Sequence, residues 1–249
     1  MNIMRKTLEF LLLAVLLCGC GKEIKYSNDF ASVAIVNASP ATPATGFIVY
    51  VDTMSQTAVL AYRSNTGYLS VKPGTRNVDF KNVINFQTVR FGQFSADFAT
   101  NTASTIFVYD TATATNNTLK TLRLSDDLTL PATGMVKVRV VPLAVNQGPV
   151  DFTFLRTSAI PNDSVTVANK NYVGASPNDA AIQALSAFST TLPLGSYTIK
   201  AKVAGAQTVL ASSTATLNGT TGFYGIYSIY LTGGSQRLPL GVSLVNHYR

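Results

Sequence analysis

The sequence predicts an all-β chain, two tandem β-sandwich domains that follow an N-terminal export segment. Three observations predict it. Charged residues make up only 12% of the 249, and the polarity comes mainly from Thr, Ser and Asn, a profile that suits pleated, half-buried surfaces. Apolar and polar residues alternate with a period of two along most of the chain, and helical spacing is nearly absent. The second half also repeats the first, so the unit of folding is about half the chain.

The N-terminus comes first. Arg5-Lys6, the short apolar run Phe10 to Leu17 and the small residues after it form the three parts of a secretory signal. The run falls well short of the ~20 apolar residues a membrane span needs. Leu17-Cys18-Gly19-Cys20 resembles the lipobox of bacterial lipoproteins, in which the last cysteine becomes the acylated first residue. That resemblance implies a signal peptide over residues 1–19, a lipid-bearing Cys20 and a polar tether over 20–30. It also implies attachment to the cell outer membrane through acyl (palmitate-type) chains, each buried methylene contributing ~0.8 kcal/mol. The rival reading is an uncleaved signal that acts as a single-pass anchor. Gly21-Lys22-Glu23 is a weak version of the Lys-plus-acidic signal for surface export, so the periplasmic and surface faces both stay open. With Cys18 removed and Cys20 acylated, the mature chain holds itself together by core burial alone.

Beyond the tether, strands are predicted at Ser32 to Val36, Gly46 to Val51, Thr57 to Tyr62, Tyr68 to Val71, Arg76 to Phe80, Ser104 to Tyr109 and Leu119 to Leu124. Pro73-Gly74 and Asn116-Asn117 punctuate them as turns. One short helix is predicted over Pro177 to Phe188, where Ile182, Leu185 and Phe188 share a face.

The repeat has several anchor points. Val33 to Val36 answers to Val136 to Val141, Lys72 to Val78 to Pro193 to Ile199, Thr105 to Tyr109 to Tyr227 to Leu231, and Leu122 to Asp127 to Val242 to His247. Val33 and Val138 are 105 residues apart, whereas Gly74 and Gly195 are 121 apart. The second copy therefore carries 16 extra residues, most simply within Arg156 to Leu185. Pro131-Ala132-Thr133-Gly134 is a joint too short for a loose linker, so the expected domains are 31–130 and 135–249 in a preferred relative pose.

Val36-Asn37-Ala38-Ser39-Pro40, the segment ending Tyr50-Val51-Asp52, and Gly67-Tyr68-Leu69-Ser70-Val71-Lys72-Pro73-Gly74-Thr75 resemble the lipoprotein modules catalogued as domain of unknown function 4397. The resemblance covers nearly all of Ala31 to Asp127. In the second copy the Asn-Ala-Ser-Pro opening has become Val141-Pro142-Leu143-Ala144-Val145. The family implies an immunoglobulin-like β-sandwich and no established activity. In physical terms the Asn-Ala-Ser-Pro corner is a strand end, since Asn and Ser bond the local backbone and Pro40 stops the ladder.

The inventory argues against catalysis, so the expectation is not an enzyme. His247, the single histidine, sits at a terminal strand end and reads as a surface residue. Glu23, the one mature glutamate, lies in the tether, and Asp126-Asp127 reads as a solvated pair whose members point to opposite faces. Zinc needs several His or Cys ligands that this chain lacks, and no Gly-rich phosphate loop appears, so no cofactor or metal is expected.

Net charge is +7, but its cations are dispersed, which argues against nucleic acid as a partner. The rings of Phe86, Phe91, Phe94 and Phe98, and of Phe223, Tyr224, Tyr227 and Tyr230, are expected mostly in the core. Tyr62, Tyr68 and Tyr172 are the better ligand-binding candidates because they are loop-proximal. Asp52-Thr53-Met54, Asp110-Thr111-Ala112 and Asp163-Ser164-Val165 match an Asp-Ser/Thr-aliphatic O-glycosylation signal, making Thr53, Thr111 and Ser164 acceptor candidates. The expected function is a non-catalytic, lipid-anchored envelope protein in a structural, adhesion or surface-interaction role. The alternative is a glycan- or protein-binding accessory lipoprotein with a defined ligand groove. Three exposed tyrosines in one groove would favour the second, and packed ones the first.

Overall fold

The computed structural model describes residues 29–41, 46–110, 119–157, 163–174, 177–219, 225–234 and 238–247. Cys20 and Thr111 lie outside them. Eight strands come from the first half: β1 (Ala31–Asn37), β2 (Ile48–Val51), β3 (Met54–Ser55), β4 (Asn65–Val71), β5 (Gly74–Ile84), β6 (Gln87–Phe98), β7 (Ala103–Tyr109) and β8 (Lys120–Ser125). The second half supplies β9 (Met135–Pro142), β10 (Val150–Arg156), β11 (Asp163–Lys170), helix α1 (Asp179–Ser186), β12 (Thr190–Pro193), β13 (Gly195–Val203), β14 (Val209–Leu217), β15 (Ile226–Thr232) and β16 (Gly241–Asn246). The fold is nearly all β, with four sheets in two sandwich-like units.

The topology repeats strand for strand. The first half forms sheets β4-β1-β7-β8 and β3-β2-β5-β6, and the second forms β12-β9-β15-β16 and β11-β10-β13-β14. In each half the first and seventh strands pair in parallel, β1 with β7 and β9 with β15. Each unit has its own core, one around Ile35, Phe47, Phe80 and Phe98, the other around Phe152, Phe154, Ile199 and Ile229.

A third core joins the units, drawing Val36, Phe107, Tyr109 and Leu122 from one half and Val141, Leu143, Tyr230 and Val245 from the other. Its presence explains why β15 is buried at all seven positions and β7 at six of seven. A strand whose two faces are both covered loses its polar side. Arg63 and Gly241 mark the same contact: the Arg63 guanidinium occupies the space that a side chain at position 241 would fill, and its Nη2 donates to the Pro239 carbonyl at 3.0 Å.

The strands and core rings expected of the first half differ from the structure at three places. The strand expected at Thr57 to Tyr62 is instead the two-residue β3 followed by an isolated Phe47–Leu60 bridge. No strand was expected over the twelve residues of β6, because its apolar residues change phase from Val89 and Phe91 to Phe94, Ala96 and Phe98. Register against β5 jumps there, from Lys81 opposite Arg90 to Phe80 opposite Gly92, so a bulge at Phe91 reverses which face each parity occupies. Phe86 is not a core ring but stands fully exposed at the β5–β6 tip. Helix α1 lies within the expected segment, with Asn178 capping it by accepting from the Ala181 N–H at 2.9 Å.

Candidate functional site

Six polar side chains, Tyr68, Thr105, Asp126, Arg139, Ser228 and His247, converge between the two sandwiches in a closed polar ring. Chain geometry puts them there. Asp126 is the residue after β8, pinned by its N–H to the Ala103 carbonyl at 2.9 Å, and His247 is the residue after β16, pinned to the Ile226 carbonyl at 2.9 Å. Thr105 on β7 and Ser228 on β15 stand beside them, while Tyr68 projects from edge strand β4 and Arg139 from β9.

Hydrogen bonding closes the ring. Arg139 Nη2 donates to Asp126 Oδ1 at 2.6 Å, and Arg139 Nε donates to Ser228 Oγ at 2.7 Å. Ser228 Oγ lies 2.7 Å from His247 Nε2, and His247 Nδ1 lies 2.8 Å from the Tyr68 hydroxyl. Tyr68 and Thr105 both donate to Asp126 Oδ2 at 2.7 Å. Donor counting fixes the protons. Tyr68 spends its one hydrogen on the carboxylate, so its oxygen accepts from His247 Nδ1–H; Nε2 is then bare and accepts from Ser228, whose oxygen accepts from Arg139. A neutral imidazole with the Nδ1 proton satisfies every member.

The side chains of Asp126 and His247 are 0% exposed and that of Arg139 is 1% exposed. Arg139 Nη1 reaches the carbonyls of Ser125 at 3.0 Å and Ser186 at 3.3 Å, so the end of α1 helps seal the ring. Phe188 completes the seal, its ring centre 4.5 Å from the guanidinium carbon and edge-on to His247 at 5.3 Å. Burial lowers the His247 imidazole to about 4, against a smaller upward pull from Asp126. Burial, aided by the adjacent Asp126, raises the Tyr68 phenol far above its usual range. Burial also lowers the Arg139 guanidinium, with Asp126 opposing that shift.

Two sequence expectations are overturned here. His247 is not a surface residue, because the facing sheet covers the strand end that carries it. Asp126-Asp127 is not a solvated pair; Asp126 turns inward, and only Asp127 faces water, 63% exposed, where a bond from Lys137 Nζ lowers it to about 2. Alternation along an extended chain accounts for both orientations.

The three tyrosine candidates are not gathered in one groove. Tyr68 is consumed by the ring, Tyr62 lies half-buried with the Arg63 guanidinium 4.9 Å from its ring centre, and Tyr172 packs edge-on to Tyr109 at 6.5 Å. Thr53 and Ser164 are exposed. Among the described residues no three His, Cys, Asp or Glu side chains gather as a metal-ligand set. Ser228 with His247 resembles the first two members of a nucleophilic triad, but Ser228 is wholly buried and its oxygen already accepts from a cation, leaving no approach for a substrate.

Comparison with known proteins finds a family model that matches the first part of the chain. Residues 31–153 match the family model described as Domain of unknown function (DUF4397). That match runs from the start of β1 through the joint into β10. No curated protein matches the chain. Nine chains of solved structure match, among them the carbohydrate-binding module CBMbc (family CBM26) of Eubacterium rectale Amy13K, solved in complex with maltoheptaose. The alignment covers 88% of this chain and 98% of that one at 9% identity, with a TM-score of 0.26. A likeness of that size bears on neither ligand nor activity.

Proposed function

We propose that this chain is a non-catalytic, lipid-anchored protein of the outer-membrane envelope, whose second half is a divergent copy of its first, and which acts as a stiff structural or adhesive module. One observation carries the non-catalytic reading. The chain's single histidine, together with the serine and aspartate nearest it, is spent on a sealed ring that locks two folded units together. A scaffold uses polar groups that way, since a buried satisfied network rigidifies the structure and fixes one arrangement. Anchoring rests on the lipobox-like Leu17-Cys18-Gly19-Cys20. The binding-accessory reading keeps one support, the cavity beside Tyr172.

The test uses the full precursor expressed in a Gram-negative host. Labelled palmitate should incorporate into the membrane fraction and be lost in Cys20→Ser, while a fluorophosphonate probe leaves Ser228 unmodified. Labelling of Ser228 that disappears in His247→Gln overturns the non-catalytic reading. Absence of palmitate from the wild-type chain overturns the anchor.

A further inference from the structure

A cavity of about 290 Å³ lies between α1, the end of β9 and the segment that follows β11. Among the described residues the first half has no counterpart to α1, so here the second sandwich adds walls to a shared plan. Small residues keep the space open. α1 turns Ala181 and Ala184, three residues apart, toward it. Ser189 lines it too, at the position where the register of the first half has Tyr68. Val140 and Pro142 of β9, with Leu185 of α1, make the rest of the lining largely apolar.

Besides Ser189, the polar groups come from one short stretch, Lys170-Asn171-Tyr172. Lys170 is the only cation on the wall, and it has no ion-pair partner among the described residues. The volume is at the lower end for small-molecule sites, room for roughly ten to fifteen non-hydrogen atoms. A sugar carries hydroxyls all round and would set those facing Ala181, Ala184, Val140 and Leu185 against apolar side chains, which is unfavourable. An apolar body with one negative end matches both the walls and the ammonium.

We infer that this cavity binds a small carboxylate with an aromatic or branched aliphatic body. The body fills the space against Ala181, Ala184 and Val140, and the carboxylate meets Lys170 Nζ. This inference is independent of whether the chain is anchored or catalytic.

Titration calorimetry and amide NMR on the mature chain test it, with 4-phenylbutyrate as the probe, 4-phenylbutan-1-ol as its neutral counterpart and maltotriose as the sugar. Both aromatic probes should saturate one site and shift the amides of Tyr172, Ala181 and Ala184, the carboxylate binding about tenfold tighter because its bond to Lys170 is charge-assisted. Lys170→Met should erase that preference and leave the alcohol's affinity unchanged. Ala184→Leu should fill the space and abolish both; should the leucine disturb α1, Ala181→Val serves the same purpose. Failure of both aromatic probes to saturate, shifts confined to other residues, undiminished binding in a folded Ala184→Leu chain, or maltotriose binding in their place would each overturn the inference.

Discussion

The two halves share eight strands in the same order, yet on the face where they meet their equivalent positions carry opposite chemistry. Backbone pairing defines the equivalences. Ala34 lies opposite Thr105 as Arg139 lies opposite Ser228, and Asp126 bonds the Ala103 carbonyl as His247 bonds that of Ile226. Tyr68 faces Ala34 on β4, while continuing the β12 register brings Ser189 to Arg139. The hydroxyls of Thr105 and Ser228 are kept, but alanine faces arginine, aspartate faces histidine, and tyrosine faces serine. Bulk and charge have been traded between the halves. A pair built from two first halves would bury two carboxylates with no cation, and a pair of second halves would bury two guanidiniums with no anion. Unpaired buried charge is among the stronger penalties available to a protein, so the trade makes each half specific for the other.

The largest effect should come from undoing that trade. Arg139→Ala gives β9 the residue of the first half and leaves Asp126 buried without its cation, which should cost about 3–5 kcal/mol in urea unfolding. Arg139→Met combined with Asp126→Leu should recover most of it, because removing both charges also removes both desolvation penalties. Equal losses in the single and double variants would show that packing, and not charge complementarity, holds the halves together.

Acid probes the buried histidine of the second half. His247 is lowered to about 4 in the folded chain from about 6.5 when free, so between those values the unfolded chain binds more protons than the folded one. Stability contributed by the neutral imidazole is therefore full above pH ~6.5, falls as pH drops and levels near pH ~4, a loss of about 3 kcal/mol. His247→Gln should flatten the unfolding free energy over that window. A slope that survives the substitution would assign it to other groups.

Ser228→Ala is the next largest, about 1–3 kcal/mol, because it strands His247 Nε2 and Arg139 Nε inside the interface. Thr105→Val, the equivalent change in the first half, removes one of the donors to Asp126 Oδ2 and leaves Tyr68 as the other. It should cost less. Chemical denaturation of the two variants side by side checks the ranking, and a reversed order would mean that the carboxylate, not the imidazole, depends more on its hydroxyl.

Much of this fold is legible in the chain because period-two alternation survives wherever one face of a strand meets water. The ring is not, for two physical reasons. Val136-Lys137-Val138-Arg139-Val140 alternates as a strand with a solvated basic face would, and only the second sheet packed over it turns Arg139 into a buried residue. Sequence matching also sets Leu122 to Asp127 against Val242 to His247, making Asp127 the partner of His247, whereas backbone register makes it Asp126. A slip of one residue exchanges the two faces of a strand, and here it exchanges the exposed carboxylate for the buried one. The usable signal was Ile226-Tyr227-Ser228-Ile229-Tyr230-Leu231, a run with one small hydroxyl and no charge, which needs cover on both faces.

The smallest expected effect concerns the hairpins at the far ends of the two long sheets. In the second half, β13 and β14 are joined by residues 204–208, where Gly205 takes a φ of 71°. In the first half, β5 and β6 turn through Asn85 and Phe86 alone, at φ of 51° and 63°. Both central residues of this turn are left-handed, which suits Asn followed by Gly and strains a phenylalanine. Phe86 is fully exposed, so its ring returns nothing in packing to offset that strain. Phe86→Gly should therefore raise the unfolding free energy by about 1 kcal/mol, against the usual direction of a glycine substitution in a strand-rich segment. A loss on Phe86→Gly would locate a stabilising contact of the ring along the hairpin, and the exposed tip would then be explained by packing instead of by a backbone held against its preference.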